Sequence, residues 1–204
     1  MTTAVSTDVI ELYHFHACPY CEKARKTFRA LGLDYESHLV DPDDRSEVVE
    51  VSGQEKVPVI IDGKTIVNDS TDIFEYMDSS YGDGVQLMPG RDQDRGLAQI
   101  LDRYADSTWG PLYYRALKEI DDEGQALDES GREALQHNID TEAGILNAML
   151  SGRSYLVGAT LSMADLSVSA FLNRITEMTD FQIRQRYEHL WEWYERVESH
   201  LDTE

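Results

Sequence analysis

"VIELYHFHACPYCEKARKTFRALG", residues 9–32, passes from an apolar, β-branched run into a helical pattern through two cysteines. Residues 9–15, VIELYHF, read as a strand. From Cys21 onward, Ala24, Phe28 and Leu31 recur at helical spacing, and Gly32 fits the helix C-cap. Cys18 and Cys21, the only cysteines of the chain, stand at the junction with Pro19 between them. A thiol at the start of a helix faces unpaired backbone N–H groups and the positive end of the helix dipole. That lowers its pKa from about 8.5 toward neutrality. Pro19 presets φ at the first helical position, where its missing N–H costs nothing. Cys21 lies one turn further on, within reach of a mixed disulfide formed on Cys18. The spacing predicts Cys18 as nucleophile and Cys21 as resolving thiol. Lys23, Arg25, Lys26 and Arg29 form the densest basic cluster of the chain and are expected to stabilise the thiolate further.

Other readings of the pair stay open at this point. A structural staple closing so short a loop would constrain the unfolded chain little. A zinc site would draw on His14, His16, Cys18 and Cys21, of which the two histidines and Cys18 fall on one face if the strand continues. Four ligands within eight residues close a tetrahedron poorly, and a second pair of ligands is missing. Two inert thiols are the third alternative.

Working outward, "DYESHLV" (34–40) reads as a second strand, and Asp43 or Asp44 is placed to cap a short helix, "RSEVVEV", that ends at Gly53. "VPVIIDGKTIVN" (57–68) reads as a hairpin turned at Asp62-Gly63. "STDIFEYMDSSYG" (70–82) is a third helix. The order β-α-β-α-β-β-α predicts a mixed four-stranded sheet covered by helices. "GDGVQLMPGRDQD" (82–94) is rich in Gly and Pro and reads as a linker. After it come only helical patterns: 94–120, expected to bend at Gly110-Pro111, then 129–150, 162–178 and 185–201. We therefore expect an α/β domain over 1–81, a linker over 82–92 and an all-α domain over 93–204. In "SMADL", Ser162 and Asp165 have capping-box spacing, with Leu161 and Leu166 where a hydrophobic staple would sit, so a hydrolase reading of that serine is rejected. Trp109, Tyr113 and Tyr114 are read as helix-packing core, with an electrophile pocket facing Cys18 as the rival reading.

Acidic residues outnumber basic ones 39 to 18, for a formal net charge of -21. Such a surface repels nucleic acid and anionic membrane, so neither is an expected partner. The acids are spread along the chain rather than gathered in a tail, which resembles the hydrated surfaces of proteins from halophiles. No stretch approaches the roughly 18 apolar residues of a membrane span, and "MTTAVSTDVI" lacks a basic leader. A cytoplasmic location is expected.

Three motifs in order carry a family resemblance. "CPYC" after a strand is similar to the glutaredoxin active site. "KVPVIIDGKTIVNDSTDIFEYM" (56–77) resembles the thiol-peptide-binding half of the thioredoxin-like domain of glutathione transferases, and "YLVGATLSMADLSVSAFL" (155–172) resembles their helical-domain signature. The whole is similar to glutaredoxins built on the glutathione transferase fold and to omega-type transferases. This implies a thioredoxin-like domain followed by the helical transferase domain, and glutathione as co-substrate without a metal; the likeness of the acidic surface to that of halophile proteins adds γ-glutamylcysteine as the alternative thiol. The family resemblance also implies low-molecular-weight thiols and disulfides as partners and a monomer or homodimer.

The resemblance assigns roles. Val57-Pro58 matches the cis-proline element, so Val57 would pair with the backbone of a bound thiol; an edge-strand proline without such a role is the plain alternative. Asp69-Ser70 matches the acidic-Ser pair that holds a γ-glutamyl end, a role that coexists with capping the following helix. Tyr20 would line the thiol pocket. Lys56 and Arg45 are candidates for a glycine carboxylate, although an arginine in "DPDDRSE" also suits a surface ion pair. Conjugating transferases hold the glutathione thiolate with a Tyr or Ser hydroxyl. A cysteine at that place shifts the expectation to thiol transfer: reduction of mixed disulfides with a γ-glutamyl thiol. Conjugation or reductive dehalogenation of small electrophiles, and a non-catalytic binding module on a transferase fold, are the rivals.

Overall fold

The computed structural model describes residues 9–82, 84–120, 127–179 and 186–202. Packing divides the chain between Met88 and Pro89 into two compact units. The first contains β1 (Ile10–His14), α1 (Pro19–Ala30), β2 (Tyr35–Leu39), α2 (Ser46–Ser52), β3 (Val59–Asp62), β4 (Thr65–Asn68) and α3 (Ser70–Tyr81). The strands form one sheet in the order β2-β1-β3-β4. β1 runs parallel to β2, with Ile10 opposite Tyr35, and antiparallel to β3, with Leu12 opposite Ile60. Period-two alternation sorts the side chains between two cores. Ile10, Leu12 and Ile60 pack with Ala24 and Phe28 of α1 and with Ile73 and Met77 of α3. Tyr13 and Val59, one residue out of phase, pack with Val40 and with Val48 of α2. The mixed four-stranded sheet covered by helices is the architecture expected from the element order.

Local chemistry sets the element ends. Gly32 sits just past α1 with φ 63°. Its N–H donates to the Arg29 carbonyl at 3.1 Å, and the Leu33 N–H donates to that of Phe28 at 2.9 Å. This is the paired Schellman closure, which a left-handed glycine makes inexpensive. The hairpin corrects the expected turn by one position. Asp62 is the last paired residue, opposite Thr65, and the two loop residues are Gly63 and Lys64. Gly63, with φ 59°, supplies the positive φ that a two-residue loop needs. At α2 the helix-entry residue is Arg45 rather than an aspartate, yet the Asp44 carboxylate accepts the Ser46 N–H at 3.0 Å, so the expected cap acts from one residue upstream.

The second unit contains α4 (Asp92–Tyr104), α5 (Gly110–Ile120), α6 (Glu129–Met149), α7 (Met163–Met178) and α8 (Glu188–Leu201), with no strand among the described residues. The expected bend at Gly110-Pro111 takes the form of a wide turn. Ala105–Trp109 is π-helical, and the Gly110 N–H reaches the Ala105 carbonyl, five residues back. Pro111 brings no N–H, and in a regular α-helix its ring would clash with the carbonyl four residues earlier, that of Ser107, so the helix widens instead of continuing in α register. Helix α7 is buried along Met163–Leu172. Its start is the capping box expected from "SMADL": the Ser162 N–H and hydroxyl donate to Asp165 Oδ2 at 2.9 and 2.7 Å. Asp165 Oδ1 accepts the Leu156 N–H at 2.8 Å and the Trp193 indole N–H at 2.7 Å, which ties α8 to α7. Trp109 and Tyr113 are buried, whereas Tyr114 is 53% exposed and packs edge-on against Tyr113. None of the described helices is long and apolar enough to cross a membrane.

Candidate active site

Strand β1 ends at His14, so the four residues 15–18 form a loop that delivers Cys18 to the N-cap of α1. Cys18 is extended, with φ -76° and ψ 125°, and Pro19 occupies the first helical turn as the sequence requires. The Cys18 sulfur accepts the Cys21 N–H at 3.4 Å. Both cysteines are free thiols; Cys18 is partly exposed and Cys21 is buried. The Cys18 thiol is pushed below its ordinary value, first by the Cys21 thiol donating to it, against the cost of burial, then by the N–H groups of Cys21 and Tyr20 and by the charge of Arg25. Cys21 moves the other way, raised by burial and by donating its own proton toward Cys18. The pair is thus polarised into one sulfur suited to attack and one that holds its proton.

The basic residues after the pair do not act as one cluster. Arg25 Nη2 and Arg29 Nη2 share Glu22, at 2.5 and 2.9 Å from its two oxygens. Lys23 and Lys26 are fully buried, and Lys23 Nζ donates to Thr71 Oγ1 at 2.8 Å, joining α1 to the start of α3. Of the four, Arg25 is the one that bears on Cys18. Helical periodicity separates residues 23 and 26 from residues 22, 25 and 29, so proximity in sequence overstated the cluster.

The zinc alternative loses its geometry. With the strand ended, His14, His16 and Cys18 share no strand face. His14 is buried and both ring nitrogens are engaged: Nδ1 lies 2.9 Å from Arg25 Nη1 and Nε2 lies 2.7 Å from Ser37 Oγ. An arginine can only donate, so Nδ1 accepts and the imidazole is neutral with its proton on Nε2. Burial and then Arg25 hold its pKa down, in keeping with that state.

Tyr20 lies in the first turn of α1, Arg45 stands at the entry to α2, and the other predicted residues lie in the segments that lead into β3 and α3. The Val57–Pro58 peptide bond is cis. The Val57 N–H and C=O take no hydrogen-bond partner among the described residues. Upstream, Gln54 pairs with the Lys56 backbone as a neighbouring strand would. Its Oε1 accepts the Lys56 N–H at 2.6 Å and its Nε2 donates to the Lys56 carbonyl at 2.7 Å. Nothing in the periodicity of the sequence distinguishes Gln54. Asp69 is the N-cap of α3 and its Oδ1 accepts the Thr71 N–H at 2.8 Å. It holds φ 72° with ψ 134°, a backbone state that costs an aspartate about 1–3 kcal/mol. Ser70 is buried directly behind it. Lys56 is exposed. Arg45 is engaged differently from a surface ion pair: it donates to the Pro42 and Glu55 carbonyls at 3.2 and 3.4 Å and stacks over the Phe15 ring at 5.0 Å.

Comparison with known proteins bears on the family and the fold. Residues 12–85 match the glutathione S-transferase N-terminal domain and residues 112–201 the glutathione S-transferase C-terminal domain. Glutathione S-transferase U28 of Arabidopsis thaliana is 24% identical over 189 residues, 89% of this chain and 81% of that protein. Glutaredoxin 2 of Escherichia coli is 34% identical over 83 residues, 40% of this chain and 38% of its own length. A glutathione transferase of Phanerochaete chrysosporium, solved with oxidized glutathione, superposes with a TM-score of 0.81 at 18% identity, covering 98% of this chain and 96% of the other. With each half of the molecule matching the corresponding domain in the expected order, this chain belongs to the glutathione S-transferase family.

Proposed function

We propose that this protein is a thiol–disulfide oxidoreductase that reduces mixed disulfides using a γ-glutamyl thiol, glutathione or γ-glutamylcysteine. The observation that carries the reading is the Cys18 sulfur at the α1 N-cap, accepting hydrogen bonds from the Cys21 N–H and the Cys21 thiol while its own pKa falls. A hydroxyl that merely holds a thiolate would need no second sulfur one turn away.

The Cys18 thiolate attacks the γ-glutamyl-thiol sulfur of a mixed disulfide. The old S–S bond breaks, the substrate leaves as a thiolate that takes a proton from water, and Cys18 is left disulfide-bonded to the small thiol. A second thiol molecule, as thiolate, then attacks that sulfur, releasing the small disulfide and restoring the Cys18 thiolate. In the dithiol variant Cys21 loses its proton and attacks Cys18, the small thiol leaves, and two further thiol molecules in succession later reduce the Cys18–Cys21 bond and leave as their own disulfide. Val57, whose backbone groups are unengaged within the described chain, is assigned to the peptide backbone of the thiol. Asp69 and Ser70, with the first N–H groups of α3, are assigned to its γ-glutamyl ammonium and carboxylate. Tyr20 is assigned to the pocket wall. Arg45 already spends donors on loop carbonyls, which leaves exposed Lys56 as the more available cation for a glycine carboxylate and favours no strong preference for glutathione.

The test is reduction of a peptide–glutathione and a peptide–γ-glutamylcysteine mixed disulfide in high salt, with either thiol or none. Wild type is expected to turn over with a γ-glutamyl thiol, Cys18→Ser to be inactive, and Cys21→Ser to keep the monothiol route. Full activity in Cys18→Ser would sink the assignment. A second reading, conjugation of small electrophiles, is favoured by the whole-chain likeness to a protein named as a glutathione S-transferase. Conjugation of a chlorodinitrobenzene by a chain that leaves both mixed disulfides intact would establish it instead.

A further inference from the structure

A guanidinium carries five N–H donors in a rigid fork, and Arg25 places each on an acceptor. Nε donates to Glu22 Oε2 at 2.9 Å and Nη2 to the same oxygen at 2.5 Å. Nη1 donates to His14 Nδ1 at 2.9 Å and to the Phe15 carbonyl at 3.2 Å. Nη2 also donates to the His16 carbonyl at 3.1 Å. Two of these acceptors are therefore backbone atoms of the loop that ends in Cys18. A third is the side chain at the end of β1, which is itself fixed to β2 through Ser37. The arginine side chain is only 14% exposed, and Glu22 balances one of the two arginines it holds, so the Glu22, Arg25 and Arg29 group keeps a positive charge. Fully satisfied, charge-assisted networks of this kind resist rearrangement.

We infer that Arg25 is a positioning residue for Cys18: it clamps the Phe15–His16 backbone so that the sulfur sits on the N–H groups of α1, and its charge bears on the thiolate it has placed. This rests on Cys18 being the reactive sulfur but not on thiol transfer being the reaction. Arg25 acts through Cys18 and not on the substrate. The neutral state of His14 belongs to the device, because a proton on Nδ1 would face the guanidinium and remove one of its acceptors. The groups facing His14 are Arg25, Ser37, the edge of Tyr35, and at longer range His16 and Glu22.

The experiment measures thiolate formation at Cys18 by absorbance and by the pH profile of iodoacetamide alkylation, in a full-length Cys21→Ser background so that one thiol titrates. Arg25→Gln is expected to raise the titration midpoint by about one pH unit, which is about tenfold slower alkylation at a pH below both midpoints. Arg25→Lys restores charge without the two loop bonds and is expected to recover only part of the shift. Circular dichroism identifies variants that remain folded. An unchanged midpoint in folded Arg25→Gln overturns the inference. If that variant does not fold, Arg25→Lys decides: a midpoint equal to that of the parent overturns the clamp, and a midpoint above that of the parent supports it. Loss of disulfide reductase activity is not the readout, so failure here is separable from failure of the proposed reaction.

Discussion

Cys18 and Cys21 are three residues apart and chemically opposite, because one faces the open end of a helix and the other is enclosed by it. At neutral pH and limiting iodoacetamide, Cys18 is expected to label at least about tenfold faster than Cys21, read by peptide mass spectrometry. Equal labelling of the two in the folded protein would contradict this polarisation. His14 provides a second test. Burial and Arg25 lower its pKa in the folded state. The unfolded chain then takes up the proton first as pH falls through about 6.5. Stability contributed by neutral His14 is complete above that pH and is lost as pH drops toward the folded-state value. His14→Gln, which can accept from Arg25 and donate to Ser37, is expected to flatten this part of the pH dependence in thermal melts between pH 8 and 5. A variant as acid-sensitive as wild type would remove His14 as the source of that dependence. The cysteine pair was legible from spacing alone; the neutrality of His14 was not, since it depends on an arginine eleven residues away.

The secondary-structure elements are secured at their ends, and those ends were mostly readable. Gly32 has φ 63°, and a methyl added at its Cα would meet only open space, so Gly32→Ala carries a backbone cost only, about 1 kcal/mol, measurable by urea unfolding. Asp165 is a larger matter. It accepts from Ser162, Leu156 and Trp193 while fully buried. Asp165→Ala leaves those donors without partners and is expected to cost about 3–5 kcal/mol. Asp165→Asn should also destabilise, because an amide NH2 cannot serve both carboxylate oxygens' donors. A loss below about 1 kcal/mol for Asp165→Ala would show that water replaces the carboxylate. The Ser162 part of this network follows from capping-box spacing. The Trp193 part does not, because 28 residues separate donor and acceptor and no local period links them. In the same way, Pro111 announced an irregularity, but its π-helical form over Ala105–Trp109 was not readable from the sequence.

A formal charge of -21 spread over 204 residues acts on the molecule as a whole. Self-repulsion of this size opposes the compact state in dilute buffer and is screened when the Debye length falls to about 3 Å near 1 M salt. We propose that the protein is adapted to strong salt. Its urea midpoint is expected to rise steadily between roughly 0.05 and 2 M KCl, and a midpoint independent of salt would reject that adaptation. The order β-α-β-α-β-β-α followed by helices was visible in the chain because strand and helix periods are local, and it led to the correct sheet and the correct class for both units.

What the amino-acid order determined by itself was therefore the set of elements, their caps, and a thiol placed at a helix start. These depend on spacings of two to four residues, which the backbone geometry converts directly into faces and ends. Tertiary structure alone decided which partners each polar group would find. Arg25 was free in sequence to join a basic cluster, and became instead a saturated clamp on the loop before Cys18, because strand pairing brought Ser37 beside His14 and the helix turned Lys23 and Lys26 away. Such choices depend on contacts across many residues, where burial leaves each donor and acceptor a single satisfiable arrangement.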